Sequence, residues 1–264
     1  MLISPFMKYY SITALLIMLL FSTESCIKSN HNFPVIDSKL NNKEQISLFD
    51  STRNRVIPVA FYFNKNTKYL NKLIIVNHGY GFNKPDSYLQ YTYLCDSLSQ
   101  LGFDLASIQH ELPNDSLLPL EGNPMIERMP FWKNGAENIH CLIDYLKSEL
   151  EQDFYQQISL IGHSNGGDIS ILFAQLYPEE VNKVITLDHR RMPIKPDSLL
   201  PILSLRSNDQ TADQGVIPEQ AILALYPIQI TYLDSVGHND MDDTGNRQQK
   251  QQILREVIAF LLKD

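Results

Sequence analysis

Ile158-Ser159-Leu160-Ile161-Gly162-His163-Ser164-Asn165-Gly166-Gly167 is the stretch of this chain that decides its architecture. Its short apolar run reads as a buried strand. The strand passes without a linker into Gly-x-Ser-x-Gly, and residues 169–177 then read as a helix. Between strand and helix, that spacing forces a tight elbow whose central serine has a strained backbone. Gly162 and Gly166 are required because a Cβ at either would collide with the neighbouring strand or helix. The elbow lifts the Ser164 hydroxyl above the sheet, at a helix N-terminus whose dipole favours developing negative charge. Five residues alone are a weak signal. In this setting they are specific.

Upstream of the elbow, residues 46–49 and 56–63 read as a hairpin across the polar turn Ser51-Thr52-Arg53-Asn54. Leu73-Ile74-Ile75-Val76 is wholly apolar, as expected of a strand buried on both faces. A further strand is expected at 103–108, with helical stretches at 88–101 and 134–150. Ile139, Leu142, Ile143 and Leu146 share one face of the second helix. Downstream, 184–187, 202–205 and 228–233 add three strands, and 247–262 closes the chain as an amphipathic helix. Buried strands alternating with helices imply a mainly parallel sheet covered on both faces. The expected fold class is α/β: a three-layer α/β/α sandwich on a mostly parallel eight-stranded sheet with an antiparallel start. In such sheets the working residues sit at the strand C-termini.

A serine hydroxyl attacks only when a base takes its proton. The chain has seven histidines. His31 lies in a polar N-terminal stretch, His140 on a helix, and His163 adjoins Ser164 but is expected to point away from it. His238 follows the last strand and precedes the last helix, which suits the chain order serine, acid, histidine. It is assigned as the base. Three residues compete for the acid. Asp209 is the first choice, close to the end of strand 202–205; Asp213 shares its loop, and Asp188 ends the preceding strand. Each can instead be a turn-forming aspartate. The expected oxyanion donors are the backbone N–H groups of Asn165 and of Tyr80, in the loop His78-Gly79-Tyr80-Gly81.

His-Gly-Tyr-Gly at 78–81, Gly-His-Ser-Asn-Gly-Gly at 162–167 and Gly237-His238 resemble the oxyanion, elbow and base motifs of the α/β-hydrolase superfamily, in the same order. The resemblance covers about residues 45–264. It implies a Ser–His–acid triad, a covalent acyl-enzyme, no cofactor and a small-molecule acyl substrate: a carboxylesterase-like serine hydrolase. The alternatives are a serine peptidase on the same triad and a non-catalytic binding lipoprotein. Dehalogenases of the superfamily usually carry Asp at the elbow, so Ser164 argues against them. Cap domains are often inserted beyond the strand that follows the elbow helix. Here only about a dozen residues separate Asp188 from Pro201, so an open mouth is expected. The irregular segment 111–133 is expected either to line the acyl or alcohol pocket through Met125, Met129, Phe131 and Trp132 or to pack over a helix. Arg190 and Arg191 would meet a substrate carboxylate or, as the preferred expectation, form ion pairs with the Asp-rich stretch Asp240-Met241-Asp242-Asp243.

The 264 residues are 44% hydrophobic and 20% charged with a net charge of −8, as in an ordinary globular protein. No basic run could neutralise a phosphate backbone, so no nucleic-acid partner is expected. Residues 1–26 differ in kind. Lys8 precedes an apolar stretch, 12–21, too short to span a bilayer but matching the apolar region of a secretory signal. Cys26 then resembles the lipid-attachment site of a bacterial lipoprotein, although Thr23 stands where Leu is expected and Glu24 is unusual so near the cut. The expected organisation is a signal at 1–25, a flexible tether at 26–44 and the catalytic domain at 45–264. The chain would be exported and anchored in a bacterial envelope through Cys26, its one membrane contact. Cys95 and Cys141 are expected as separate buried thiols, and no metal is expected at His110 and His189.

Overall fold

The computed structural model describes residues 27–28, 43–63, 71–150, 155, 157–196 and 199–263. The signal-like segment, Cys26, His31 and most of the expected tether lie outside the described residues. Among the described residues there are nine strands: β1 (Ile27–Lys28), β2 (Lys43–Asp50), β3 (Arg55–Tyr62), β4 (Lys72–Asn77), β5 (Asp104–Ile108), β6 (Gln157–His163), β7 (Lys183–Leu187), β8 (Ile202–Arg206) and β9 (Ile228–Tyr232). The helices are α1 (Thr92–Ser99), α2 (Pro124–Glu127), α3 (Met129–Glu149), α4 (Asn165–Leu176), α5 (Gln220–Leu223) and α6 (Arg247–Leu261).

One sheet takes all the strands in the order β1-β2-β3-β5-β4-β6-β7-β8-β9. From β5 to β9 every pairing is parallel, while β2 pairs β3, and β3 pairs β5, antiparallel. Strands β2 to β9 are the eight read from the sequence. The two-residue β1 adds an edge by pairing Ile27 with Phe49 and Lys28 with Leu48, so this part of the expected tether belongs to the sheet. β2 likewise begins at Lys43, inside that tether.

Alternation along the strands splits the core into two layers. Leu73, Ile75, Leu160, Val184 and Ile202 face α3 and α4, packing on Trp132, Ile139, Leu142, Ile169 and Phe173. Their neighbours Ile74, Val76, Ile161, Ile185 and Leu203 face α1 and α6, packing on Leu94, Leu98, Ile253 and Val257. Each fully buried side chain of this kind contributes about 1.5–3 kcal/mol, so a register slip in a central strand would be ruinous. Cys95 is a buried free thiol in the second layer. Cys141, contrary to expectation, is disulfide-bonded.

The segment 111–133 is less irregular than its prolines suggest. Asn123 caps α2 by accepting from Met125 N at 3.0 Å, and α3 starts at Met129, ahead of the expected 134. The strand order reverses between β4 and β6, since β4 connects to β5 on one side and β6 leads to β7 on the other. In open parallel sheets, that reversal opens a crevice at the carboxyl ends. Ser164 follows β6, and the loop His78–Gly81 follows β4.

Candidate active site

Ser164 has φ 49° and ψ −118° and stands at the N-terminus of α4, the strained elbow that the sequence predicts. The glycines have the anticipated reason. A Cβ on Gly166 would fall on the carbonyls of Asn77 and His78, and one on Gly162 on the carbonyl of Gly166. The Asn77 amide donates to Ser170 Oγ at 2.9 Å, which donates to Gly166 O at 2.7 Å, tying α4 to the end of β4.

His238 reaches the serine. Its Nε2 lies 2.9 Å from Ser164 Oγ, and its Nδ1 lies 2.6 Å from Asp188 Oδ2. A carboxylate at Nδ1 fixes the tautomer, Nδ1–H donating to Asp188 and Nε2 accepting from the hydroxyl. Asp188 is fully buried and sits at φ 55°, turned out of β7 in the left-handed region.

The acid position corrects the sequence expectation. Asp209 does not meet the imidazole: its Oδ1 accepts from the His238 backbone N–H at 2.7 Å and fixes the loop. Asp213 pairs with Arg191 at 3.0 Å. Asp188 prevails because the end of β8 supplies partners for it rather than a carboxylate for His238. Arg206 Nη2 lies 2.9 Å from Asp188 Oδ1; Ser207 N donates to Oδ1 at 3.1 Å and Ser207 Oγ to Oδ2 at 2.8 Å. Burial pushes the Asp188 pKa up, but the His238 hydrogen bond, the Arg206 charge and the Ser207 bonds outweigh it and hold the group below its ordinary value. Asp188 is therefore ionised at neutral pH. Arg206 also donates to His189 O at 2.5 Å.

The oxyanion side is equally ordered. Asn165 opens α4, so its N–H has no partner within the helix. A Cβ on Gly79 would touch Ser164 Cβ at 3.4 Å, which places the His78–Gly81 loop against the nucleophile. Tyr80 follows, its hydroxyl accepting from Leu118 N at 3.1 Å. Trp132, expected as pocket wall or packing, is buried and donates from Nε1 to Asn165 Oδ1 at 2.8 Å. Asn165 Nδ2 donates to Glu111 Oε1 at 2.9 Å. Burial raises the Glu111 pKa to about 7. Glu111 Oε2 lies 3.7 Å from His78 Nε2, but burial lowers the His78 pKa to about 4, so at neutral pH the two are not an ion pair.

The His163 ring lies against that of His238, their centroids 5.0 Å apart. Gly79 N–H donates to the Tyr91 hydroxyl at 3.0 Å, and that hydroxyl lies 2.8 Å from His163 Nδ1. His163 Nε2 lies 3.0 Å from the carbonyl of His238, so Nε2 carries the proton and Nδ1 accepts from Tyr91. Burial, with the nearby His238 charge, lowers the His163 pKa to about 3 and keeps the ring neutral. One chain of bonds thus links the oxyanion loop to the base loop. His110 and His189 are also engaged: His110 Nε2 meets Asn77 Oδ1 at 3.0 Å, and His189 Nδ1 meets Thr186 Oγ1 at 2.8 Å. The sequence missed Glu111, Tyr91, Arg206 and Ser207 as supports; the one available signal was an arginine ending an otherwise apolar strand.

No protein-family model matches the chain, and no curated protein matches it. Solved structures do. A dienelactone hydrolase-like promiscuous phosphotriesterase from metagenomic libraries superposes with a TM-score of 0.62 at 12% identity, covering 84% of this chain and 98% of that one. An α/β serine hydrolase without lid from Xanthomonas campestris gives 0.58 at 13% identity, covering 88% and 96%. A dienelactone hydrolase from Anabaena variabilis gives 0.57 at 14% identity, covering 84% and 98%. At these identities the likeness shows the fold, which is the α/β-hydrolase fold.

Proposed function

We propose that this chain is a serine hydrolase that cleaves esters through Ser164, His238 and Asp188. The observation that carries the reading is His238 bridging Ser164 Oγ and buried Asp188 at 2.9 and 2.6 Å. His238 Nε2 takes the Oγ proton as Oγ bonds to the acyl carbon, and the carbonyl electron pair moves onto oxygen. The N–H groups of Asn165 and Tyr80 receive that oxyanion, each donor being worth about 3–4 kcal/mol. As the C–O bond to the leaving alcohol breaks, His238 returns the proton to it. Water, deprotonated by the same imidazole, then releases the acid and restores Ser164. Asp188 stabilises the imidazolium throughout.

The test is a screen of short-chain p-nitrophenyl esters beside aminoacyl anilides, for wild type and Ser164→Ala. Ester turnover that falls by a factor on the order of 10⁵ or more in the variant is expected. Turnover equal in both proteins, or confined to the anilides, would overturn the assignment.

We also propose that the chain is exported, since a disulfide at Cys141 suits an oxidising compartment. We further propose an envelope anchor through a lipid on Cys26; mass analysis of the Cys26 peptide tests it, an acylated glyceryl mass supporting the anchor and a Cys26 without a lipid contradicting it.

A further inference from the structure

Asn165 is one of the two oxyanion donors of the proposed reaction, and its side chain is clamped at both ends. Trp132 Nε1 donates to Asn165 Oδ1 at 2.8 Å, and Asn165 Nδ2 donates to Glu111 Oε1 at 2.9 Å. An indole N–H can only donate, so the amide has one orientation and the Glu111 oxygen must accept. All three side chains are buried. Asn165 is followed by Gly166 and Gly167, so its side chain is the first in α4 that can tie the opening turn to other elements. That turn carries the N–H beside the strained Ser164.

Glu111 is held from its other end as well. Gln109 Nε2 donates to Glu111 O at 2.6 Å, and Gln109 Oε1 accepts from Tyr88 N at 3.2 Å. Glu111 Oε2 is buried and has no hydrogen-bond partner among the described residues. It stands 3.7 Å from His78 Nε2, beyond hydrogen-bond length. That ring is committed elsewhere: Nδ1 donates to Gly79 O at 2.7 Å, and Nε2 accepts from His110 N at 2.9 Å. The other ionisable groups around the carboxyl supply no free positive charge. Arg55 is paired with Asp115 at 2.7 Å, burial keeps His110 neutral, and burial raises the Tyr91 pKa. A buried oxygen without a donor suits a neutral acid far better than a carboxylate. Burial raises the Glu111 pKa to about 7, in the same sense.

Resting on the hydrolase reading above, we propose that Glu111 is a positioning residue for ester cleavage, its neutral carboxyl acting through the Asn165 amide to hold the Asn165 N–H on the oxyanion. The neutral acid fixes the amide without adding charge. Once ionised, it places a second negative charge one side chain away from the N–H group that meets the oxyanion. The transition state carries that oxyanion and the bound ester does not, so ionisation of Glu111 lowers kcat.

The test is the pH dependence of kcat on p-nitrophenyl butyrate for wild type, Glu111→Gln and Glu111→Leu, with folding verified by circular dichroism. Glutamine copies the neutral acid, its Oε1 accepting from Asn165 Nδ2, and it cannot ionise. The ratio of wild type to Glu111→Gln also cancels the His238 titration that both share. That ratio should fall by about tenfold between about pH 6 and about pH 9. Glu111→Leu removes the acceptor and should lose about tenfold in kcat against Glu111→Gln at about pH 6, with KM within about twofold. Where ester turnover depends on Ser164, a ratio constant over this range overturns the positioning role alone. So does a folded Glu111→Leu whose kcat equals that of Glu111→Gln; if the leucine variant does not fold, the ratio decides by itself. A folded wild type without Ser164-dependent turnover overturns the hydrolase reading and the positioning role with it.

Discussion

The two sides of the site are built by different means. At the ends of β4 and β6, the working parts are backbone: a strained serine, N–H groups and glycines that leave room for carbonyls. At the ends of β7 and β8, they are side chains arriving from separate loops, with Asp188 gripped by Arg206, Ser207 and His238. Backbone geometry restricts which residues can stand at fixed short spacing. Side-chain convergence across strand ends imposes no spacing at all. The first kind of site is written locally in the sequence; the second is written only in three dimensions.

The sharpest way to break this contrast is to exchange the acids. Asp188→Asn should lower kcat by about 10⁴-fold, since the imidazole loses its tautomer and its counter-charge. Asp209→Asn should stay within about tenfold, because it bonds a backbone N–H rather than the ring. Steady-state kinetics on one ester compares them, and the reverse ranking would restore Asp209 as the acid.

Stability gives the next contrast. Gly166→Ala puts a Cβ onto two carbonyls and should cost about 4 kcal/mol or more, or abolish folding. Gly215→Ala meets nothing within 4 Å and carries only the strain of φ +81°, about 1 kcal/mol. Urea denaturation of both measures the difference. Arg206→Met strips the partner from a buried carboxylate and should cost about 3–5 kcal/mol. With the lowering influence of Arg206 gone, the Asp188 pKa rises, so the acid limb of the kcat/KM profile should move to higher pH.

A pH-dependent effect lies on the backbone side. Glu111 titrates near 7 when folded and near 4.5 in its ordinary state. Between those values the unfolded chain is the one that has lost the proton, so this contribution to stability is full below about 4.5 and is lost as pH rises to about 7. Relative to Glu111→Gln, wild type should therefore lose about 2–3 kcal/mol over that window. Paired denaturation midpoints from pH 4.5 to 7.5 check it; a constant difference would contradict the buried, proton-holding Glu111.

Much of the fold was legible because its signals are periodic or steric. Apolar runs such as Leu73–Val76 marked the central strands, and the Gly162–Gly166 spacing marked the elbow. The order of motifs also pointed to His238. The acid was not legible, because Asp188, Asp209 and Asp213 all end strands or occupy loops and differ only in what faces them. Trp132 read as pocket wall or as packing over a helix; it is buried in the core, and its bond to Asn165, on another helix, left no trace in the sequence. Arg191 does form an ion pair, but with Asp213 rather than with the expected stretch Asp240–Asp243, whose Asp243 instead accepts from the backbone N–H groups of Thr92 and Tyr93.

The central claim is that Ser164 is an activated nucleophile. Its most direct test is intact-mass and peptide analysis after exposure to a fluorophosphonate, with folding verified by circular dichroism. A single adduct on the Ser164 peptide of the wild type, absent from Ser164→Ala, is the predicted result. Folded wild type that gains no adduct, or gains it equally in Ser164→Ala, would contradict the account.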